Sequence, residues 1–365
     1  MNKKLNIWKI LFLLFLMAGT IYILRSNYEK QKQELAEKNW QKTDERGNVY
    51  SSRWVTENHV NNSGSVFGTY YSITYRAGKD LHEDIRQKLQ EVDNSLSPFN
   101  KGSIISAINN NSSFSTNSMF NEVFTLAQSI SAKTGGAFDI TVAPLVNAWG
   151  FGFRNNIAVD SCSIDSIRQF IGYTGVALED GKITKKHPET MLDCSAIAKG
   201  YGCDAVARLL DDNGIEDYLV EIGGEIVARG KSTKGKEWTI GISKPVDDVS
   251  GKDNGLQAAV KVSGKSVATS GNYRNYREEN GKKISHTIDP RTGYPVQHSL
   301  LSATVIADDC ATADAYATAF MVLGVEKAME ICNNDSSIEG FFIYADKDGN
   351  YATCMSKEFA NYIIE

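Results

Sequence analysis

Proline is scarce in this sequence, with 6 residues in 365. From about Val55 onward no Pro- or Ser-rich stretch interrupts the chain. That excludes an obvious interdomain linker and leaves one continuous folded region as the expectation. Histidine is scarcer still, at 5. The 6 cysteines (Cys162, Cys194, Cys203, Cys310, Cys332 and Cys354) include no C-x-x-C pair, which argues against a zinc framework. Lys and Arg are scattered and the net charge is −5, so there is no basic field to meet a phosphate backbone, and no nucleic acid partner is expected. Neither the hydrophobic content of 42% nor the charged content of 23% departs toward disorder or fibre.

The long uncharged run lies at the start. Ile10 to Leu24 carries no charge, follows Lys3, Lys4 and Lys9, and ends at Arg25. It is apolar all round, unlike a surface helix of a folded domain. It is short for a membrane span, yet Ile7 and Trp8 extend it and Lys9 can snorkel toward the headgroups. A cleaved export signal has the same shape, but no small-x-small cleavage site follows and no cysteine is placed for lipid attachment. The expectation is an uncleaved N-terminal hydrophobic helix over residues 1–25. It would anchor the chain in a membrane with its bulk outside the cytoplasm, on the periplasmic side of the inner membrane in a Gram-negative cell. Residues 26–54 read as a polar spacer and 55–365 as the folded domain. Outside the cytoplasm the cysteines could pair, but a domain of this size needs no staples, so buried thiols and disulfides both fit.

Hydrophobic periodicity gives the coarse architecture. Phe67 to Arg76 alternates as a strand, after which Leu81, Ile85, Leu89, Val92 and Leu96 recur at helical spacing. Met119 to Lys133 reads as a second helix, ended by Gly135 and Gly136, where a left-handed cap favours glycine. Gly223-Gly224 separates Tyr218–Ile222 from Glu225–Ala228 at the spacing of a tight hairpin. Further strands are expected at Trp238–Ile242, Leu256–Val262, Ser302–Ala307 and Gly340–Tyr344, the last followed by the turn Asp346-Lys347-Asp348-Gly349. Strands come in consecutive groups, which points to an α+β fold with largely antiparallel sheets and flanking helices.

Four segments combine small residues with isolated polar ones: GGAFDITVAPLVNAWGFG, DCSAIAKGYG, SVATSGNYR with SHTIDPRTG, and DDCATADAYATAF. Small side chains let a ligand approach main-chain N–H and C=O groups, which suits a diphosphate; packing explains any one of them as well. Asp314 and Thr318 stand four apart in a helical stretch and so share a face. Their oxygens suit a hard cation such as Mg²⁺, and equally a capping or hydrogen-bonding pair. Lys199 follows a strand-like lead-in at the start of a helix, where anions are favoured; a solvated lysine beside a turn fits too. SGKS at Ser263–Ser266 is no Walker loop, because Ala259 stands where the first glycine is required. His286, between an expected strand and the Asp289-Pro290 turn, is a candidate general base or a structural imidazole.

Taken together, FGTYYSI, SLSPFN, GGAFDITVAPLVNAWGFG, LDCSAIAKGYGCDAV, EIGGEI, SVATSGNYR, SHTIDPRTGYPV and ATADAYATAF stand in one register, and in them the chain resembles the FAD:protein FMN transferase family, also called ApbE. The resemblance covers about Ser65 to Tyr362. It implies a single ApbE-like domain of the T-fold type. It also implies an Mg²⁺-dependent enzyme that takes FAD, attaches the FMN half to a threonine of a target protein and releases AMP. The metal would be held by the carbonyl of Ala196 and the side chains of Asp314 and Thr318. Lys199 would contact the cofactor and Asp139 would help hold FAD. The backbone around Ile288 and the segment Ser97 to Asn100, with Phe99, would line the pocket, and His286 would be the catalytic base. Phe67-Gly68-Thr69 stands where family members usually have Met-Gly-Thr near the flavin, so the ring contact of Phe67 departs from the pattern. The family further suggests an acceptor protein in a membrane redox complex. An Mg²⁺-dependent FAD pyrophosphatase and a membrane-anchored flavin-binding protein are the alternatives, separated by whether flavin becomes covalently bound to protein and whether AMP is formed.

Overall fold

A computed structural model describes residues 42–43, 49–56, 59–154, 161–245, 255–272, 276–279 and 282–364. The hydrophobic run Ile10–Leu24 and most of the expected spacer lie outside the described residues. Among the described residues no helix is long and apolar enough to cross a membrane.

The chain begins with the antiparallel strands β1 (Lys42–Thr43), β2 (Val49–Thr56), β3 (His59–Val66) and β4 (Thr69–Arg76). Helices α1 (His82–Leu96), α2 (Ile104–Asn109), α3 (Ser118–Lys133), α4 (Ala143–Ala148) and α5 (Ser161–Arg168) follow. The small hairpin β5 (Val176–Glu179) and β6 (Lys182–Lys185) precedes α6 (Ala198–Asp212) and a second hairpin, β7 (Tyr218–Ile222) and β8 (Glu225–Arg229). Next come β9 (Trp238–Ser243), β10 (Leu256–Val262), β11 (Lys265–Gly271) and the pair β12 (Tyr276–Glu279) and β13 (Lys282–Ser285). The C-terminal part is β14 (Leu300–Ala307), α7 (Cys310–Leu323), α8 (Val325–Asn334), β15 (Ile338–Ala345) and β16 (Tyr351–Met355).

Ten strands form one sheet in the order β1-β2-β3-β4-β7-β8-β11-β14-β15-β16, with antiparallel neighbours throughout. This is the α+β class with antiparallel sheet that the grouping of strands predicts. Period-two alternation divides the sheet residues between two cores. On one face Ala268, Val305 and Phe342 pack with the helices, chiefly α3 and α7. On the other, Val267, Ile306 and Phe341 pack against Trp238, Ile240, Val260 and Val262 of the β9–β10 pair. A third cluster joins Ile85 and Leu89 of α1 and Val206 and Leu210 of α6 to Ile73 and Tyr75 of β4.

The expected helices stand with small shifts in their bounds. Asn117 accepts a hydrogen bond from the amide of Phe120 and so caps α3. Gly135 and Gly136, with φ of 59° and 76°, follow its end. Two local readings are corrected. The strand expected from Phe67 starts at Thr69, because Phe67 (φ 51°) and Gly68 (φ 74°) form the left-handed turn between β3 and β4. A bulky residue there costs roughly 1–2 kcal/mol. Its ring in return packs on α6: a Cβ added at Gly202 would lie 2.8 Å from the Phe67 ring. The lead-in to Lys199 is not a strand but a turn, in which the amides of Ile197 and Ala198 both donate to the carbonyl of Cys194. The described structure holds all six cysteines as free thiols.

Candidate active site

Helices α6 and α7 meet at a residue with no side chain. A Cβ on Gly200 would lie 2.3 Å from the carbonyl oxygen of Cys310 and 2.8 Å from the Cα of Ala311. Only glycine allows this approach, and the alanines of α7 (Ala311, Ala313, Ala315, Ala317 and Ala319, all buried) let the helix sink against the sheet. The crossing brings Lys199, in the first turn of α6, beside Asp314 of α7. The amide of Gly200 donates to Asp314 Oδ2 at 3.0 Å. A helical geometry would direct that amide to the carbonyl of Ala196. Among the described residues no backbone amide donates to Ala196.

Around this junction lies a cleft of about 1280 Å³, larger than the 300–1,000 Å³ typical of small-ligand pockets and roomy enough for a dinucleotide. Each site residue singled out from the sequence lines it: Phe67, Ser97, Phe99, Asn100, Asp139, Ala196, Lys199, His286, Ile288, Asp314 and Thr318. Different elements deliver them. Ser97, Phe99 and Asn100 lie in the turn after α1, where Ser103 Oγ donates to the Ser97 carbonyl and Asn100 Nδ2 donates to Asp93 Oδ2 at 2.7 Å. Phe99 is 66% exposed at the cleft and meets the Phe153 ring edge-on. His286 follows β13 and stands 6.5 Å from the Phe151 ring centroid. Its segment is pinned on both sides, since the hydroxyls of Ser285 and Thr287 both donate to Asn272 Oδ1. Ile288 is buried with Leu145 and Ile164 and bridges to Pro295.

Asp139 faces the cleft with its oxygens already engaged. Oδ1 accepts from the amide and hydroxyl of Thr141, and Oδ2 accepts from the amide of Tyr173. Burial raises its pKa, against those donors. It braces the wall of the cleft directly. Asp193, also lining the cleft, is raised by burial and accepts from the Ser195 amide.

The charged floor holds one base and two acids. Lys199 Nζ stands 2.8 Å from Glu225 Oε1 and 3.4 Å from Asp314 Oδ1. Burial works to lower the ammonium's pKa, but the charges of Asp314 and Glu225 outweigh it and hold it above its ordinary value. Glu225 is raised, first by burial and then by the nearby Asp314 charge. Its Oε2 is buried without a hydrogen-bond partner among the described residues. Thr318 Oγ1 lies 3.2 Å from Ser270 Oγ on β11. Among the described residues no three His, Cys, Asp or Glu side chains cluster as a metal site. The donors that do converge are a carboxylate, hydroxyls and a free carbonyl, the hard oxygen set that Mg²⁺ takes alongside phosphate. The orphaned Glu225 oxygen beside the buried Asp314 carboxylate makes the same site receptive to a cation.

Glu225, Asp193 and Ser270 carried no assigned role in the sequence reading. Each sits inside one of the motif strings, but only the fold brings the three to one cleft and buries Glu225 there.

A profile of the ApbE family matches residues 67–342. An FAD:protein FMN transferase of Escherichia coli (strain K12) is 37% identical over 317 residues, spanning 82% of this chain and 88% of that protein. One from Haemophilus influenzae is 35% identical over 81% of this chain and 89% of its own length. Among solved structures, the flavin transferase ApbE from Vibrio cholerae superposes with a TM-score of 0.76 at 34% identity, covering 83% of this chain and 99% of that one. The apo form of the flavinyl transferase ApbE from Pseudomonas stutzeri gives 0.73 at 31% identity, over 86% and 97%.

Proposed function

The chain belongs to the ApbE family, and from that premise we propose that it is a flavin transferase that takes FAD and, with Mg²⁺, attaches the FMN moiety to a threonine hydroxyl of another protein. The observation that carries the reading is the convergence on one cleft of His286, Lys199 and the helix-spaced pair Asp314 and Thr318.

The acceptor hydroxyl attacks the riboflavin-side phosphorus and forms a threonine phosphoester, while the bond from that phosphorus to the bridging oxygen breaks and the oxygen leaves as part of AMP. His286 takes the hydroxyl proton, held in place by the Asn272 brace on its neighbours. Lys199, whose side chain keeps 28% exposure, presents its ammonium to the diphosphate at the first turn of α6. Asp314, Thr318 and the carbonyl of Ala196 would hold Mg²⁺, which supplies neutralisation of the charge on the departing phosphate. Phe67, Ser97, Phe99, Asn100 and Ile288 shape the pocket for FAD, and Asp139 keeps its wall rigid.

The acceptor fits best as an electron-transfer subunit of a membrane redox complex. The run Ile10–Leu24 would anchor the enzyme on the extracytoplasmic side, within reach of such a subunit.

Incubation with FAD, Mg²⁺ and a flavin-accepting protein, followed by a denaturing gel viewed for flavin fluorescence, tests the reading. A fluorescent acceptor band is expected; free FMN and AMP without it would identify a pyrophosphatase instead. Asp314→Ala should abolish metal-dependent transfer, and near-normal labelling by that variant would refute the cation assignment. His286→Ala should still bind FAD while transfer falls by about two orders of magnitude or more.

A further inference from the structure

Glu225 occupies a place on the cleft floor that the reaction above does not use. It opens β8 directly after the Gly223-Gly224 turn, its backbone held opposite Ile222 in the β7–β8 ladder. From this rigid base the buried carboxylate places Oε1 2.8 Å from Lys199 Nζ. Asp314 stands on the other side of the same ammonium, with its oxygens at 3.4 and 3.5 Å. The distances decide which acid holds the base. A contact of 2.8 Å is a full charge-assisted hydrogen bond, whereas contacts near 3.5 Å lie at the outer limit of one.

We propose that Glu225 is a positioning residue that tethers Lys199 away from Asp314, keeping the Asp314 carboxylate open to a divalent cation. The inference rests on the cation reading given under Proposed function. Lysine carries its charge on a flexible four-carbon stem, and a largely enclosed ammonium needs an anionic partner. Without the Glu225 charge, the nearest partner is Asp314, already within 3.5 Å. The ammonium would close on it and compete with the metal for the same oxygens. With Glu225 present, one residue holds the base and another is left to hold the cation.

The test is the affinity for Mn²⁺ alone, titrated into the full chain and read by the loss of the free-ion electron paramagnetic resonance signal. Glu225→Gln should weaken binding on the order of tenfold, the scale on which a neighbouring opposite charge shifts a carboxylate. Adding Lys199→Met to that variant should restore binding to the wild-type level or beyond, because the competing ammonium is gone. A double variant as weak as Glu225→Gln would overturn the tether and make Glu225 a direct ligand through Oε2. Unchanged binding in Glu225→Gln would overturn it as well. Should Glu225→Gln fail to fold, Lys199→Met alone must bind Mn²⁺ at least as tightly as wild type, and weaker binding overturns the proposal. Wild type and Asp314→Ala binding alike would instead remove the cation reading itself, and the tether with it.

Discussion

At the scale of single residues, burial decides which polar groups matter. Asp204, on α6, accepts the amides of Cys310 and Ala311 at 2.8 Å each and so closes the start of α7. Burial pushes its pKa up to about 7, against those two amides, which favour the charged form. The folded protein therefore holds a proton between pH 3.8 and about 7 that the unfolded chain has given up. Stability contributed by this group is present below the lower value and falls as pH rises through the upper one. Over the full window the effect of one such group is on the order of 4 kcal/mol. Urea titrations at pH 4.5 and pH 7.5 should show a smaller drop in stability with pH for Asp204→Asn than for wild type; equal drops would contradict the assignment. The shared helical face of Asp314 and Thr318 was legible in the sequence from their spacing, although the spacing fitted a hydrogen-bonding pair equally and the cation role came from the family resemblance. Asp204 and Glu225 were not legible, since their chemistry comes from elements far away in the chain that enclose them.

At the scale of elements, the crossing of α6 and α7 sets the site. Gly200→Ala would gain about 1 kcal/mol of helix propensity. Its methyl group, however, would meet the main chain of Cys310 at 2.3 Å, and that backbone cannot rotate aside as a side chain could. The clash wins. A net loss of roughly 1–3 kcal/mol in chemical denaturation is expected, together with reduced flavin transfer as Lys199 and Asp314 are pushed apart. Gly78, where an added Cβ meets nothing within 4 Å, is the control, and Gly78→Ala should leave stability within about 0.5 kcal/mol. Strongly periodic elements such as α1 and α3 were readable in advance, as was the β7–β8 hairpin from its glycine pair. Strand β11 was hidden, because in KSVATSG Val267 is the one large apolar residue among Ser, Thr, Ala and Gly, too few for a period-two pattern. The stretch before Lys199 misled for the converse reason. Its apolar Ile197 is buried by a turn, so the run of small and apolar residues looked extended without being so.

At the scale of the whole molecule, the antiparallel architecture followed from the grouping of strands, but its extent did not. The order of ten strands depends on which edges pair after long helical excursions, as where β4 pairs with β7 across α1 to α6. Removal of residues 1–25 should move the enzyme from the membrane fraction to the soluble fraction while leaving labelling of an acceptor in vitro intact. A full-length chain already soluble in cell fractionation would count against the anchor.

The ion pair between Lys199 and Asp314 joins positions 115 residues apart. A polypeptide stopped short of α7 would carry Lys199 and much of the cleft wall yet lack Asp314 and Thr318. Activity should therefore switch on only after α7 (Cys310–Leu323) has been made, and a premature stop codon anywhere before it should yield an inert product, not a slower one.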